Sequence, residues 1–349
     1  MRILLINTPR SPHNGIREYA NEETRRFIHK KLIGPPLGLL TLAAAIKDHE
    51  VIVWDTKAEY DLHPDAPPLA KMVLQLMDEH KPDIVGTTVI TSEFYYGVEI
   101  LRTVKKYDPQ VLTVIGGLHA ALCIEDFTDP AINVVCRGQA AHIFKAIVKA
   151  REKNLPLSSV PGAYLVTDSC PVKNKCELPE QNPAGSDYLM PDRSLLDRWR
   201  ETYKVGGSPY PVTYLYTSLG CPYKCTFCSI WKEFDGVYMQ REVESIIKEL
   251  KELDFKIVRF SDANTIVNIK FIDRLFSRIE EEGIKKEFIM DIRSDTAVKY
   301  PWLIEKLARN GLKVVICGFE SFRDEELKKY NKNAPARLIP QAIEIFHKN

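Results

Sequence analysis

Short runs of aliphatic residues alternate along this chain with segments of helical spacing, and this alternation most limits the folds that are open to it. In the first part of the chain, the predicted strands cover residues 3–6, 51–54, 84–90, 112–115 and 134–135, and the predicted helices cover 37–46, 69–77, 96–106 and 140–150. Parallel strands need helical crossovers, so regular alternation favours a doubly wound (Rossmann-like) parallel sheet of about five strands. We predict this α/β domain over residues 1–152.

The alternation pauses over residues 153–210, where Pro, Ser, Asn and Asp are frequent and periodicity is weak. This composition is typical of an ordered linker or strap, in which VPGAYLVTD has the pattern of a small hairpin. Alternation then resumes, with strands predicted over 214–218, 257–260, 288–292 and 313–317, and helices over 242–253, 269–282, 301–310 and 323–330. These units predict the first four strands of a partial β/α barrel over residues 211–349. Because a half barrel leaves a parallel edge strand uncovered, we expect the native sequence to continue beyond Asn349.

Charge and hydropathy exclude several classes of protein. The 349 residues include 48 Lys and Arg against 47 Asp and Glu, a balance that does not favour a nucleic-acid partner. No apolar run reaches the roughly 18–20 residues that span a bilayer, and the opening MRILLINTPR lacks the features of a secretory signal. We therefore expect a cytoplasmic protein without a transmembrane segment, whose eight cysteines are too few for a disulfide scaffold.

Three of the cysteines are clustered in TSLGCPYKCTFCSIW, directly after a predicted strand. Cys221, Cys225 and Cys228 have the spacing C-x3-C-x2-C, and a short loop brings three thiolates together at little cost in closure entropy. Thiolates are the usual ligands of iron–sulfur clusters, and three of them leave one iron of a [4Fe-4S] cluster open to another ligand. The alternatives are a zinc knuckle or three unrelated buried cysteines. Zinc usually needs a fourth Cys or His at matching spacing, and none follows nearby.

The C-x3-C-x-Φ-C pattern, with Phe227 as the aromatic Φ, closely resembles that of the radical S-adenosylmethionine (SAM) superfamily. The resemblance implies that SAM chelates the open iron and that an electron from the reduced cluster cleaves the sulfonium. The resulting 5'-deoxyadenosyl radical then abstracts a hydrogen atom. It also implies that the backbone near Phe227 lies close to the adenine, and that an electron donor such as flavodoxin or ferredoxin is a partner.

Polar residues follow the later barrel strands at their carboxyl ends, where β/α barrels build their sites. The same resemblance implies contacts with SAM, including its carboxylate and ribose, in the segments FSDAN, DIRSD and GFES. For any one of these residues alone, a surface polar residue or loop cap is an equal alternative. The predicted SAM-side residues are Asp262 and Asn264 after the second strand, Arg293 after the third, and Gly318, Glu320 and Ser321 after the fourth.

The first domain resembles the cobalamin-binding domain that is fused ahead of many radical SAM domains. The segments that carry this resemblance are PPLGLLTLAAAIKDHEVIVWD, PDIVGTTVI, VIGGLHA and VVCRGQAAHIF, in that order. It implies that Thr88, Ile90, Gly116 and Gly117 line a pocket for the nucleotide tail of cobalamin. Glycines suit this role because they let the backbone approach a ligand closely.

The first domain also departs from the family pattern. Cobalamin domains that place a histidine on cobalt carry D-x-H-x-x-G after the first strand, and that motif is absent here. His13 lies in the right loop without the spacing, and Asp61-Leu62-His63 is a partial match in the wrong place, so we expect no histidine on cobalt. The segment RGQAA replaces the usual Arg-Gly-Glu-Gly-Glu. We interpret His119, after the two glycines, as a helix-start residue rather than a pocket residue.

Together the two resemblances imply a class B radical SAM methyltransferase. In that mechanism the deoxyadenosyl radical abstracts a hydrogen atom from an unactivated carbon, and methylcobalamin then methylates that carbon. A second SAM remethylates the cobalamin. A weaker resemblance to hopanoid C-3 methylases, through DRSLLDRWRETY, CSIWKEF, FSDANTIV and IRSD, favours a lipid or isoprenoid substrate over another small molecule. Two alternatives stay open. One is a radical SAM enzyme for cyclisation, rearrangement or coupling, with cobalamin absent or differently used, and the other is a non-catalytic, metal-stabilised binding module.

Overall fold

The computed structural model describes residues 1–10, 34–63, 65–175, 182–205, 208–234 and 236–349. The chain divides into two compact units. The first comprises Met1–Gln181 and Leu189–Pro209, and the second comprises Asn182–Tyr188 and Tyr210–Asn349. No helix in the described ranges has the length and apolar character that crossing a membrane requires.

The first unit is built on one sheet of seven strands. The strands are β1 (Arg2–Asn7), β2 (Glu50–Asp55), β3 (Ile84–Thr88), β4 (Leu112–Gly116), β5 (Val134–Cys136), β6 (Ala163–Thr167) and β7 (Cys170–Lys173). The described helices are α1 (Leu37–Ala45), α2 (Thr56–Leu62), α3 (Leu69–His80), α4 (Phe94–Tyr107), α5 (Leu118–Leu122) and α6 (Ala141–Glu152). The strand order is β2-β1-β3-β4-β5-β6-β7, in which the first five strands are parallel and β6 and β7 pair antiparallel.

The parallel sheet of five strands predicted from the sequence is confirmed, and the hairpin of β6 and β7 extends it. Residues 3–6 on β1 are all fully buried, as expected for a parallel strand covered on both faces. The strand predicted over 84–90 ends earlier, at Thr88. There the chain turns away from the sheet into the 3-10 helix Thr91–Glu93, so Ile90 lies beyond the strand.

The second unit contains a parallel sheet of four strands and a separate hairpin. Its strands are β8 (Val212–Leu215), β9 (Ser218–Gly220), β10 (Tyr238–Gln240), β11 (Ile257–Phe260), β12 (Glu287–Asp291) and β13 (Leu312–Ile316). Its helices are α7 (Ile230–Glu233), α8 (Val243–Glu252), α9 (Ile269–Glu281), α10 (Ser294–Lys299), α11 (Pro301–Arg309), α12 (Asp324–Lys329) and α13 (Leu338–Lys348). The sheet order β13-β12-β11-β8 follows the chain, which confirms the predicted partial β/α barrel.

One barrel strand is shorter than predicted. The strand expected over 214–218 leaves the sheet after Leu215, and Ser218 starts β9, which pairs antiparallel with β10. The reason is a side chain from the neighbouring strand end. Asp262 accepts hydrogen bonds from the backbone amides of Thr217 and Ser218 at 2.7 and 2.9 Å, and so replaces the sheet partner that these amides would otherwise need.

Gly117, directly after β4, should not tolerate a side chain. Its φ of +102° is a conformation that L residues rarely adopt, and a Cβ there would lie 2.5 Å from the Val89 carbonyl oxygen and 2.6 Å from Thr88 Oγ1. We expect Gly117→Ala to lower the free energy of unfolding by roughly 2–4 kcal/mol, because backbone strain and a clash with backbone act together. Urea unfolding followed by circular dichroism measures this change.

Gly38 in α1 provides the matched control. A Cβ built on Gly38 meets no atom within 4 Å, and its backbone is helical. Gly38→Ala should therefore raise the free energy of unfolding by about 0.5–1 kcal/mol. Similar losses of unfolding free energy in both variants would show that the strained backbone at Gly117 does not cause the destabilisation.

Candidate active site

The three predicted cluster cysteines lie on the loop that follows β9. Cys221 and Cys225 are buried, Cys228 is partly exposed, and all three are free thiols. Burial raises the pKa of the Cys221 thiol, and the neighbouring Cys228 and Cys225 raise it further. The Cys221 thiolate is therefore favoured only where a cation offsets its burial and the charge of its neighbours, which fits a metal-containing ligand.

The spacing of the sulfurs favours a cluster over a single ion. Among the described residues, one set of three metal-ligating side chains has its ligand atoms all within 4.8 Å of one another, namely His119, Cys123 and Asp126. The three loop cysteines do not form such a set. Two sulfurs on one zinc ion lie at most about 4.6 Å apart, because each Zn–S bond is about 2.3 Å. The loop cysteines do not converge to that extent. A multi-atom cluster, in which separate irons take separate thiolates, fits them better.

Hydrogen bonds to backbone carbonyls hold the cysteine loop in place. The Thr226 amide donates to the Tyr330 carbonyl at 3.0 Å, and the Asn331 side-chain amide donates to the Lys224 carbonyl at 2.9 Å. Trp231 Nε1 donates to the carbonyl of Cys225 itself at 3.0 Å. The turn after α12 therefore supports the loop, a role that the sequence did not reveal because these contacts lack any local pattern.

Phe227 points outward from the loop. Its side chain is 52% exposed, and one edge packs against the Tyr330 ring with the ring centroids 5.8 Å apart. A large aromatic group in this position is available to a ligand. This arrangement supports the predicted proximity of Phe227 to a bound adenine, which stays a prediction.

Both carboxylate oxygens of Asp262, at the carboxyl end of β11, accept hydrogen bonds from other groups of this chain. One carboxylate oxygen accepts the two backbone amides described above, and the other accepts the Thr217 hydroxyl at 2.6 Å. Burial raises the pKa of Asp262 to about 6, against the lowering effect of these hydrogen bonds. Asp262 thus acts as a positioning residue for the turn that leads into the cysteine loop, and its contact with SAM stays a prediction.

The titration of Asp262 predicts a pH dependence of stability. Between about pH 4 and pH 6 the native state keeps a proton that the unfolded chain has released, so the free energy of unfolding falls as the pH rises. An asparagine at this position would keep nearly the same shape without titrating. We therefore expect the free energy of unfolding of Asp262→Asn, relative to that of the native protein, to rise by about 2.4 kcal/mol between pH 4 and pH 7, at roughly 1.4 kcal/mol per pKa unit. Urea unfolding of both proteins at the two pH values tests this, and parallel pH profiles would contradict it.

Asn264 has the features of a ligand-binding side chain. It is 4% exposed, and neither atom of its amide group has a hydrogen-bond partner among the described residues. The hydroxyl of the adjacent Thr265 is likewise buried without a partner there. Buried polar groups are nearly always paired, so these atoms indicate a bound molecule or ordered water.

Arg293 lies against the cysteine loop. Its guanidinium pairs with Asp295 through two hydrogen bonds of 2.9 Å, donates to the Lys332 carbonyl at 2.8 Å, and lies 4.0 Å from the ring centroid of Tyr223, a residue within the loop. Its charge is therefore close to the predicted cluster and partly balanced by Asp295. A direct contact between Arg293 and the SAM carboxylate stays a prediction.

Two of the three residues predicted after the fourth barrel strand, Gly318 and Glu320, lie next to Lys332. Glu320 has a positive φ of 63° and forms an ion pair with Lys332 at 2.9 Å. A Cβ on Gly318 would lie 2.3 Å from the Glu320 carboxylate oxygen, so a side chain at this position would displace that carboxylate. Ser321 shares a hydrogen bond with Glu326. Lys332, which sequence reasoning missed, therefore connects this segment to Arg293.

The predicted cobalamin-side residues come together at the carboxyl edge of the first sheet. Thr88 pairs in register with Gly116, and Gly117 lies close to the Thr88 hydroxyl. Ile90 is 45% exposed just beyond this edge, as an apolar contact for a ligand would be. His13 lies outside the described residues.

Two family models match this chain. Residues 27–148 match the model of the B12 binding domain, and residues 215–349 match that of the radical SAM superfamily. In a comparison of folds, the radical SAM methyltransferase TsrM from Kitasatospora setae, solved with cobalamin and a [4Fe-4S] cluster bound, aligns with a TM-score of 0.74 at 16% identity. The alignment covers 99% of this chain and 67% of that one.

Three curated relatives are similar over most of this chain. An uncharacterized methyltransferase of Pyrococcus horikoshii is 29% identical over 331 residues, covering 90% of this chain and 67% of the relative. The hopanoid C-3 methylase of Methylococcus capsulatus is 23% identical over 316 residues (89% and 58%). The anaerobic magnesium-protoporphyrin IX monomethyl ester cyclase of Rubrivivax gelatinosus is 28% identical over 284 residues (77% and 49%). The chain thus spans between about half and two thirds of the length of these relatives.

A Rossmann-like sheet followed by a partial β/α barrel, with three free cysteines on the loop that follows β9, defines an α/β protein of the radical SAM class. Since the first domain matches the B12-binding model, the chain belongs to the radical SAM proteins that carry an N-terminal B12-binding domain.

Proposed function

We propose that this protein is a cobalamin-dependent radical SAM methyltransferase that methylates an unactivated carbon. The observation that carries the proposal is the loop of three free cysteines in a chain whose other domain matches the B12-binding model. The relatives named as methyltransferases and methylases support it.

In this proposal Cys221, Cys225 and Cys228 hold a [4Fe-4S] cluster, and its fourth iron is left to SAM. When bound, the cluster supplies an electron for reductive cleavage of SAM, and cobalamin carries the methyl group. Asn264 offers its unsatisfied amide to the bound SAM, while Asp262 fixes the turn from which the cysteine loop starts.

We further propose that the substrate is a polycyclic or isoprenoid lipid, because a hopanoid methylase is among the relatives. The cyclase relative supports a second candidate, a radical SAM cyclisation in which cobalamin is absent or does not carry methyl. In either case electrons come from a donor of the flavodoxin or ferredoxin class. Free cysteines fit a cytoplasmic location, where thiols stay reduced.

Anaerobic expression with cobalamin supply tests the proposal. We expect about four iron atoms and one corrinoid per chain, release of 5'-deoxyadenosine, and transfer of label from methyl-labelled SAM into an isoprenoid lipid fraction. Zinc in place of iron, or a cluster that cannot cleave SAM, would overturn the assignment. SAM cleavage without corrinoid uptake or methyl transfer would favour the cyclisation.

A further inference from the structure

A second group of metal-ligating side chains lies in the first unit, on the segment that follows Gly117. His119 and Cys123 are four residues apart on one helical turn, with the Cys123 amide bonded to the His119 carbonyl at 2.8 Å. Asp126 follows in the next turn. The ligand atoms of His119, Cys123 and Asp126 all lie within 4.8 Å of one another, and His119 Nε2 is 3.0 Å from an Asp126 oxygen.

The surroundings fix the imidazole of this group. His119 is 4% exposed, and its ring packs against Phe94 and Phe127 with centroid distances of 4.9 and 5.5 Å. Its other nitrogen, Nδ1, is 3.2 Å from the Thr91 hydroxyl. Histidines that bind metals usually direct the second nitrogen at such a hydrogen-bond partner, which sets the tautomer and leaves Nε2 free for the metal.

The ligand types and distances match one class of cation. A zinc ion bound by a histidine nitrogen and a carboxylate oxygen separates the two by roughly 3.3 Å, close to the 3.0 Å seen here. The carboxylate and a thiolate together balance a divalent charge. Asp126 is half exposed, so water can reach the fourth position of a tetrahedral ion.

We propose that His119, Cys123 and Asp126 bind a divalent transition-metal ion of the zinc class, with water as the fourth ligand. The bound ion holds α5 and the turn after it at the carboxyl end of β4, directly behind Gly116 and Gly117. Binding releases the thiol proton of Cys123 to solvent. This site is separate from the iron–sulfur site and does not rest on the function proposed above.

Cobalt(II) titration tests the proposal, because cobalt bound to a thiolate gives an intense charge-transfer band in the near ultraviolet. The full chain is used in a background in which Cys221, Cys225 and Cys228 are all replaced by Ser, so the other thiolate cluster cannot contribute. We expect one equivalent of cobalt to give the band, zinc to displace it, and zinc to raise the Tm. Adding Cys123→Ser should abolish all three effects. Adding Cys170→Ser should not, since Cys170 is an exposed thiol outside this group.

Asp126→Asn provides a second variant, because its half-exposed side chain can change without disturbing the core. It should weaken zinc affinity at least tenfold while the circular dichroism spectrum stays native. An absent band, or a band that survives Cys123→Ser, would show that His119 and Asp126 form only a hydrogen-bonded pair. Loss of cluster binding in the native chain would overturn the methyltransferase proposal and leave this result unaffected.

Discussion

Cys225→Ala is expected to abolish cluster binding and SAM cleavage together. Removing one of three thiolate ligands leaves two irons without a protein ligand, so the cluster should not survive anaerobic purification. Iron and sulfide should then fall to background, and 5'-deoxyadenosine release should fall to the level of a protein-free control. Iron and sulfide analysis with chromatography of the SAM products measures both effects.

Cys170→Ala is the matched control for this experiment. Cys170 is an exposed free thiol on β7, in the first unit, so its removal should leave both readouts unchanged. If Cys225→Ala kept SAM cleavage, the coordination on which the proposed function rests would be wrong. Cys221→Ala and Cys228→Ala should behave like Cys225→Ala.

Glu249→Gln should destabilise the protein strongly, through loss of a buried charge pair in the second unit. Arg241 and Glu249 have side chains that are 0% and 1% exposed, and they form an ion pair at 2.7 Å. The guanidinium also stacks on the Tyr188 ring, 3.5 Å from its centroid, and Tyr188 donates a hydrogen bond to Glu249. The neutral glutamine would leave the Arg241 charge buried without a counter-charge. We expect a loss of about 3–5 kcal/mol, or roughly 6–20 °C in Tm, by thermal unfolding.

Two further variants make this result specific. Glu244→Gln, on the same helix α8, removes the charge of an exposed glutamate that pairs with Arg278, and it should leave the Tm unchanged. The double variant Arg241→Met/Glu249→Leu should recover much of the loss, because apolar groups of similar size need no counter-charge. A Glu249→Gln protein with the native Tm would mean that the pair contributes little.

Local sequence patterns were sufficient to predict the parallel core of both units. The aliphatic run at 3–6 forms a strand as predicted, since a strand buried on both faces is apolar throughout. The run at 257–260 also forms a strand as predicted, although Arg259 interrupts its apolar residues. The cysteine loop could be predicted for a related reason. Its ligands lie within eight consecutive residues, so spacing alone describes the site.

Contacts between distant segments were beyond sequence reasoning. The segment VPGAYLVTD, residues 160–168, has the pattern of a small hairpin, but the pairing of β6 with β5 and β7 depends on which sheet edge is free. Both Asp262 oxygens accept hydrogen bonds from Thr217 and Ser218 because of the register of β8 against β11. The hydrophobic periodicity of the sequence does not report this register. The His119 group was missed because a single histidine among apolar residues is usually structural.

The hydrogen bonds that join Tyr330 and Asn331 to the cysteine loop have a practical consequence for anyone who dissects this protein. A short peptide that carries the C-x3-C-x2-C motif has the ligands but lacks the scaffold that fixes their backbone. The smallest useful fragment of the barrel must therefore extend at least through α12 and the turn that follows it, about a hundred residues past the last cysteine of the motif. Cluster retention across a series of C-terminal deletions should drop abruptly at that turn.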